Sequence, residues 1–191
     1  MPRRPNPDLE AEILDAARKL WKKGGEKALT MRAVAKAAGT NTPSVYRRFR
    51  DRDQLLRGML ERIRLTVSGQ MNSASSAEEA CERYLDFALS NTHEYELLFR
   101  HGYELYHSPR ARQAIGQPVS QPAREAMRRK LVERLGESPD NHEPLLTALW
   151  MVAHGTAMLL IAKSILPKDA VEARAVFTAT VAALLRGAEG R

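Results

Sequence analysis

The sequence predicts an all-α protein of about nine helices. Three observations predict it. Apolar residues recur three and four positions apart, and strict alternation over strand lengths is nearly absent. Ser, Thr, Asn or Asp stands ahead of most apolar stripes, with Gly or Pro behind. A chain of 191 residues, 43% apolar and 28% charged, can build a core and has room for a small domain joined to a larger one.

The elements follow in order. Asn6-Pro7 is a helix start, and Leu9, Ile13, Ala16, Ala17, Leu20 and Trp21 form its stripe until Gly24-Gly25 ends it. Thr30 caps a short second helix with Val34, Ala37 and Ala38 inward and Gly39 as its stop. Thr42-Pro43 repeats the cap-then-proline device and opens a third helix to Phe49. Asp51 and Gln54 form a capping box before Leu55, Leu56, Met59, Leu60, Ile63 and Val67, a long helix to about Gln70. Ser75-Ser76-Ala77-Glu78 is a second box, ahead of Cys81, Tyr84, Leu85, Ala88 and Leu89. A helix through Tyr95, Leu98 and Phe99 ends before Ser108-Pro109, and the Gly and Pro residues of 101–122 predict a loop or broken helix. Ala123, Met127, Leu131 and Leu135 are spaced by four and stop at Gly136. Two final helices, about 142–165 and 170–186, are parted by Pro167, with Asp169 and Glu172 as the next cap. They are apolar nearly all round, unlike the surface helices of a monomer.

A single cysteine, Cys81, excludes a disulfide framework and a CxxC metal cluster, and fits a reducing compartment. The most apolar stretch, Leu145 to Leu166, is interrupted by His154, Gly155 and Lys163, so no membrane span is expected. The opening MPRRPNPDLEAE lacks the apolar core of a secretory signal. A soluble, cytoplasmic protein is the expectation. The net charge of +7 is divided unevenly. Residues 1–70 carry 16 Lys and Arg against 8 Asp and Glu, whereas residues 71–191 carry 14 against 15. All the positive excess lies in the first third, as an electrostatic footprint for phosphates would; a basic solvated face without a partner is the plainer alternative.

The stretch Thr30 to Phe49 reads as helix, tight turn, helix. Ala35, Ala37 and Ala38 keep the first helix thin, and Gly39 permits the positive φ that such turns use. The second helix is expected to present Thr42, Ser44, Tyr46, Arg47 and Arg48 to solvent, with Val45 and Phe49 inward. Hydroxyls and guanidinium groups on a short capped helix suit groove edges and phosphates. An αα-corner with a polar surface is the rival reading of the same residues.

Over residues 7–60 the runs ILDAARKLW, LTMRAVAKAAG, TNTPSVYRRF and RDRDQLL resemble, in order and spacing, the N-terminal domain of TetR-type transcriptional regulators. The resemblance implies that Pro43 to Phe49 is the recognition helix and that Tyr46 touches a phosphate. It implies that Thr30, Arg32 and Arg52 flank the DNA backbone and that Thr42, Pro43, Ser44 and Arg47 lie nearest the bases, with Arg48 beside them. The turn reads Gly-Thr-Asn where the family more often has Gly-Val-Ser, and Arg48 stands where His or Tyr is common, so the operator sequence does not carry over. Tyr84-Leu-Asp-Phe-Ala-Leu89, Leu97-Leu-Phe99 and Trp150-x-x-x-His154-Gly155-x-x-x-Leu159 are similar to the TetR subgroup with a Trp-His-Gly signature. The implied domains are a helix-turn-helix domain over 1–50 (motif about 30–49), a connecting helix over 51–70, and an effector-binding and dimerisation domain over 71–191. In the family the last two helices pair across a dimer axis, which places Gly155, Leu159, Ala175, Thr178, Ala182 and Leu185 at the interface.

Other residues suggest less. His93, His101, His107, His142 and His154 lack metal-ligand spacing, and Ser68, Ser90 and Ser164 lack a nucleophile setting, so neither metal, cofactor nor enzyme activity is expected. The basic run Arg124, Arg128, Arg129, Lys130, Arg134 reads as a solvated helix face, or less readily as a second DNA contact. Seven of the eleven aromatics lie at Tyr84, Phe87, Tyr95, Phe99, Tyr103, Tyr106 and Trp150, either as core or as the lining of an apolar pocket. In the second case Tyr84, Phe87, Phe99, Tyr103, Trp150 and His154 would meet the ligand. The expected function is a repressor that binds a palindromic operator as a homodimer and is released by a small apolar effector. An effector-independent activator or architectural protein on the same scaffold is the alternative.

Overall fold

The computed structural model describes residues 8–102, 105, 121–138, 140–163 and 170–189. Among them the protein is helical, with no strand: α1 Leu9–Ala28, α2 Met31–Ala37, α3 Thr42–Arg48, α4 Arg52–Asn72, α5 Ala77–Ser90, α6 Thr92–Arg100, α7 Pro122–Leu135, α8 Glu143–Ile161 and α9 Ala170–Glu189. The expected all-α class is what the structure has. Asn6, Pro7, Pro167, Asp169 and most of 101–122 lie outside the described residues.

The helices group into two compact units. The first holds α1 to α3, α4 as far as Ile63, and α6 from His93; the second holds the rest of α4 with α5, α7, α8 and α9. The division expected from sequence ran in chain order and did not anticipate α6 beside α1.

In the first unit, Ile13, Ala17, Val34, Val45, Leu55, Met59, Leu60 and Ile63 are fully buried, with Trp21 and Phe49 nearly so. Each such side chain contributes roughly 1.5–3 kcal/mol when removed from water. On α2 the inward residues are Val34 and Ala35, while Ala37, expected inward, is exposed. Gly24 and Gly25 break α1 as expected: Gly25 has φ 59° and ψ −146°, backbone that a side chain does not tolerate. Asp51 starts α4 by accepting from Gln54 N at 2.8 Å, and Gln54 reaches back to Arg50 N at 2.7 Å. The hydrogen bond from the Gln54 backbone, with the neighbouring guanidinium groups, holds the Asp51 carboxyl below its ordinary value.

In the second unit, α8 packs on α5 and α9, and α7 packs on α5. Leu85, Leu131, Leu149, Phe177, Val181 and Leu185 are its buried centre. The box that starts α5 is Ser76 with Glu79, one residue later than the expected Ser75 with Glu78. Ser76 Oγ accepts from Glu79 N, and the Glu79 carboxylate takes Ser75 N and Oγ at 2.6 Å each. The arginines of α7 are bound up in ion pairs. Arg124 and Arg128 meet Glu143, Arg134 meets Glu78 and Glu189, and Arg129 donates to Asn72. These pairs are accessible to water and each is worth about 0–1 kcal/mol, but they occupy the run that a second DNA contact would need. By length and composition alone α8 could cross a membrane, contrary to the sequence expectation. Here it is instead packed along one side by α5 and α9.

Two outcomes are expected from these features. Gly25→Ala should lower stability by about 1–3 kcal/mol because of its backbone angles. Gly69→Ala, in α4 with open space around it, should raise stability by up to about 1 kcal/mol; urea titrations check both. The second outcome concerns acid. Hydrogen bonds from Ser75, then Arg83, draw the Glu79 pKa down from 4.5 to about 2. A carboxylate depressed in the folded state stabilises fully above pH 4.5, and that contribution is lost as pH falls towards 2. The urea midpoint of Glu79→Gln should therefore fall less than that of the wild type between pH 5 and 2.

Candidate nucleic-acid interface

The turn between α2 and α3 is built by backbone hydrogen bonds that a left-handed glycine makes available. Gly39 has φ 64°; Gly39 N donates to Lys36 O at 3.3 Å and Thr40 N to Ala35 O at 2.9 Å, closing the C-terminus of α2. At the other end of α2, Thr30 Oγ1 accepts from Ala33 N at 3.1 Å. Asn41, rather than the expected Thr42, caps α3: its Oδ1 accepts from Ser44 N at 2.9 Å, and Pro43 sits in the first turn. Val45 and Phe49 point inward as expected, and Ser44 joins them at 6% exposure. Ser44 was expected at the surface and is not there.

The outward face of α3 is Pro43, Tyr46, Arg47 and Arg48, with Thr42 half-buried at its edge. Tyr46 is 50% exposed, much for an aromatic ring that has a core within reach. Arg47 folds back along its own helix so that Nη2 donates to Ser44 Oγ at 2.6 Å. Thr30 and Arg32 are exposed at the start of α2. Arg52, at the start of α4, is half-buried and paired with Glu26 at 3.0 Å, so its charge is partly answered within the protein. The structure thus gathers the sequence-chosen residues on α2, α3 and the start of α4, with Ser44 turned beneath the surface.

Sequence reasoning missed what fastens α6 in this unit. Glu94 is fully buried and receives Arg18 Nε at 2.8 Å and Nη2 at 3.2 Å, with Lys22 Nζ at 3.5 Å. Beside it, Trp21 Nε1 donates to His93 O at 2.7 Å, and His93 Nδ1 lies 3.0 Å from Lys22 O. His101 meets the Trp21 ring edge-on and stands 3.6 Å from Glu26. The readable signal was an acidic residue on the apolar face of Leu97; its partner, 76 positions away, was not readable.

The residues chosen for an effector pocket fall in both units. Tyr84 and Phe87 are buried on α5 in the second unit, Phe99 lies against Tyr95 on α6 in the first, and Tyr103 lies outside the described residues. Trp150 is 45% exposed on α8, stacked on His154 at 5.2 Å, so it points outward rather than into a core. Burial pushes the His154 imidazole below its ordinary value and keeps it neutral near pH 7. Of the residues chosen for a dimer face, Ala175 and Thr178 are exposed; Gly155, Leu159 and Ala182 are half-buried. Leu185 is fully buried among its own protomer's side chains and is not available to a partner. No cluster of metal-ligating side chains occurs among the described residues.

Comparison with known proteins agrees with this arrangement. Residues 13–59 match the family model described as bacterial regulatory proteins, tetR family. Residues 77–184 match the model described as tetracyclin repressor-like, C-terminal domain. No curated protein matches the chain. Among solved structures, a protein of unknown function from Rhodococcus sp. RHA1 is similar at TM-score 0.69 and 22% identity, covering 98% of each chain. A TetR transcriptional regulator from Streptomyces coelicolor is similar at TM-score 0.69 and 19% identity, covering 95% of this chain and 97% of its own. The multidrug binding protein EbrR complexed with ethidium is similar at TM-score 0.60 and 20% identity, over 91% and 98%. The two family matches, the first over the helix-turn-helix and the second over the helices that follow it in the chain, show that the chain belongs to the TetR family of DNA-binding transcriptional regulators.

Proposed function

We propose that the protein is a repressor that binds a palindromic operator as a homodimer through α3 and is released by a small apolar effector. One observation carries the DNA reading. α3 is locked from below by Val45 and Phe49, and its outward face offers Tyr46, Arg47 and Arg48 in the third of the chain that holds all the excess positive charge. Such a helix fits the major groove, with Tyr46, Thr30 and Arg32 at phosphates and Thr42, Pro43 and Arg47 nearest base edges. Arg52 can serve a phosphate once it leaves Glu26. Two copies would reach successive grooves about 34–36 Å apart.

The apolar faces of α8 and α9 support the dimer. Met151 and Val176 are each more than half exposed, Trp150 and Met158 extend the face on α8, and Ala175 and Ala179 extend it on α9. An added Cβ at Gly155 would meet nothing within its own protomer. The fold shared with EbrR in complex with ethidium supports a small-molecule effector, and α6 gives it a route, because a single residue, Asn91, joins this clasped helix to α5. The second reading, a regulator that needs no effector, is supported by Trp150, a chosen lining residue that stands 45% exposed on α8. A ligand that raises the melting temperature and also releases the duplex decides for the first.

Fluorescence anisotropy on selected and random duplexes tests the DNA reading. Binding should favour a palindrome and weaken steeply with salt. Arg47→Ala should cost about 1–3 kcal/mol and relax preference at one position, whereas Tyr46→Phe should weaken all duplexes alike. Equal affinity for selected and random duplexes overturns the reading. For the dimer, Val176→Glu should give a 21.4 kDa species by light scattering that still melts cooperatively, its midpoint lowered only by the lost association, whereas Leu185→Glu should unfold the chain.

A further inference from the structure

Arg47, on the outer face of α3, is tethered to its own helix. Its Nη2 donates to Ser44 Oγ at 2.6 Å, one turn back, and Ser44 is 6% exposed. Ser44 is itself held. Its backbone N donates to Asn41 Oδ1 at 2.9 Å and to Asn41 O at 3.0 Å, which fixes the first turn of α3, and Val45 beside it is fully buried. A buried hydroxyl on a fixed backbone is a stationary acceptor. An arginine side chain without one samples many rotamers and loses that freedom when it binds. Arg47 has settled much of that before DNA arrives.

A guanidinium also has a direction. One Nη2 N–H donated to Ser44 leaves the other N–H groups of the fork for another partner. A planar pair of N–H groups held in one orientation matches two acceptors on a base edge, and guanine O6 and N7 are the pair that the major groove offers for it. A phosphate, which accepts from many directions, would not need the tether.

We infer that Ser44 is a positioning residue: through its hydroxyl it orients Arg47 to read one guanine in each operator half-site, without touching DNA itself. Ser44's role rests on the reading of α3 as the DNA-contacting helix and can fail separately from it. The α3 cap uses the Ser44 backbone N and Arg47 uses the hydroxyl, so removing the hydroxyl leaves the cap in place.

The test is selection from a randomised duplex library, followed by anisotropy on duplexes differing at the selected guanine, using the full chain as wild type, Ser44→Ala, Ser44→Thr, Arg47→Ala and the double variant. Arg47→Ala should reduce the preference for guanine at one position by about tenfold or more. Ser44→Ala should reduce the preference at that same position by about two- to tenfold, with the rest of the selected sequence and the melting temperature unchanged. The double variant should lose no more than Arg47→Ala alone, and Ser44→Thr, which keeps the hydroxyl, should retain the preference. Ser44→Ala selecting guanine as strongly as the wild type overturns the inference. So does a uniform loss across all duplexes accompanied by a lower melting temperature, which would make Ser44 merely structural. A wild type that selects no sequence overturns the DNA reading itself.

Discussion

A carboxylate with no exposure to water cannot stand alone, and the first unit is arranged around one. Glu94 is held bidentately by Nε and Nη2 on one edge of the Arg18 guanidinium, with Lys22 nearby. Removing one member of such a buried pair leaves the other charge uncompensated, at a cost of about 3–5 kcal/mol, whereas apolar replacements of both are often neutral. The pair therefore does less for net stability than for register. Only one rotation of α6 brings Glu94 to Arg18, and that rotation also presents His93 O to Trp21 Nε1. α1 is consequently shared: its inner residues Ile13 and Ala17 are buried in the first unit's core, and its later turns hold α6.

Much of the helix-turn-helix was legible because its determinants are local. Thr30 as a cap, Gly39 as a left-handed stop, Asp51 with Gln54 as a box, and Val45 with Phe49 as the inward pair all act within four residues of one another. The misreadings there are one-residue slips. Asn41 and Thr42 are both good caps ahead of Pro43, and the structure uses Asn41; Ser44, next to the inward Val45, lies beneath the surface rather than on it. Glu78 and Glu79 offered the same ambiguity at α5. Local chemistry says that a box exists and leaves two adjacent residues to compete for it.

The faces of α8 and α9 were harder to read for a different reason. A helix apolar all round carries no moment to say which side is core. Leu185 and Ala182 look alike in such a pattern, yet only Leu185 is fully buried by α9's own neighbours. Trp150 suffered similarly. A tryptophan near the middle of an apolar helix reads as core, but α5 and α9 cover the opposite side and leave it stacked on His154 in the open. Ion pairs such as Arg174 with Glu82, and Arg134 with Glu189, join residues tens of positions apart and leave no trace in spacing.

The place of α6 in the first unit has a consequence for how the chain is made. The other helices of that unit are complete by Ile63, and Glu94 follows about thirty residues later. At about 5–20 residues per second of synthesis, Arg18 and Trp21 wait a few seconds for their partners. During that interval the helix-turn-helix can close on Val45, Phe49 and Leu55, all of which are already present, but one side of α1 stays wet. The order of emergence thus makes the nascent reading head an open version of the finished one, and its last fastening comes from a segment that belongs, in chain order, to the half behind it.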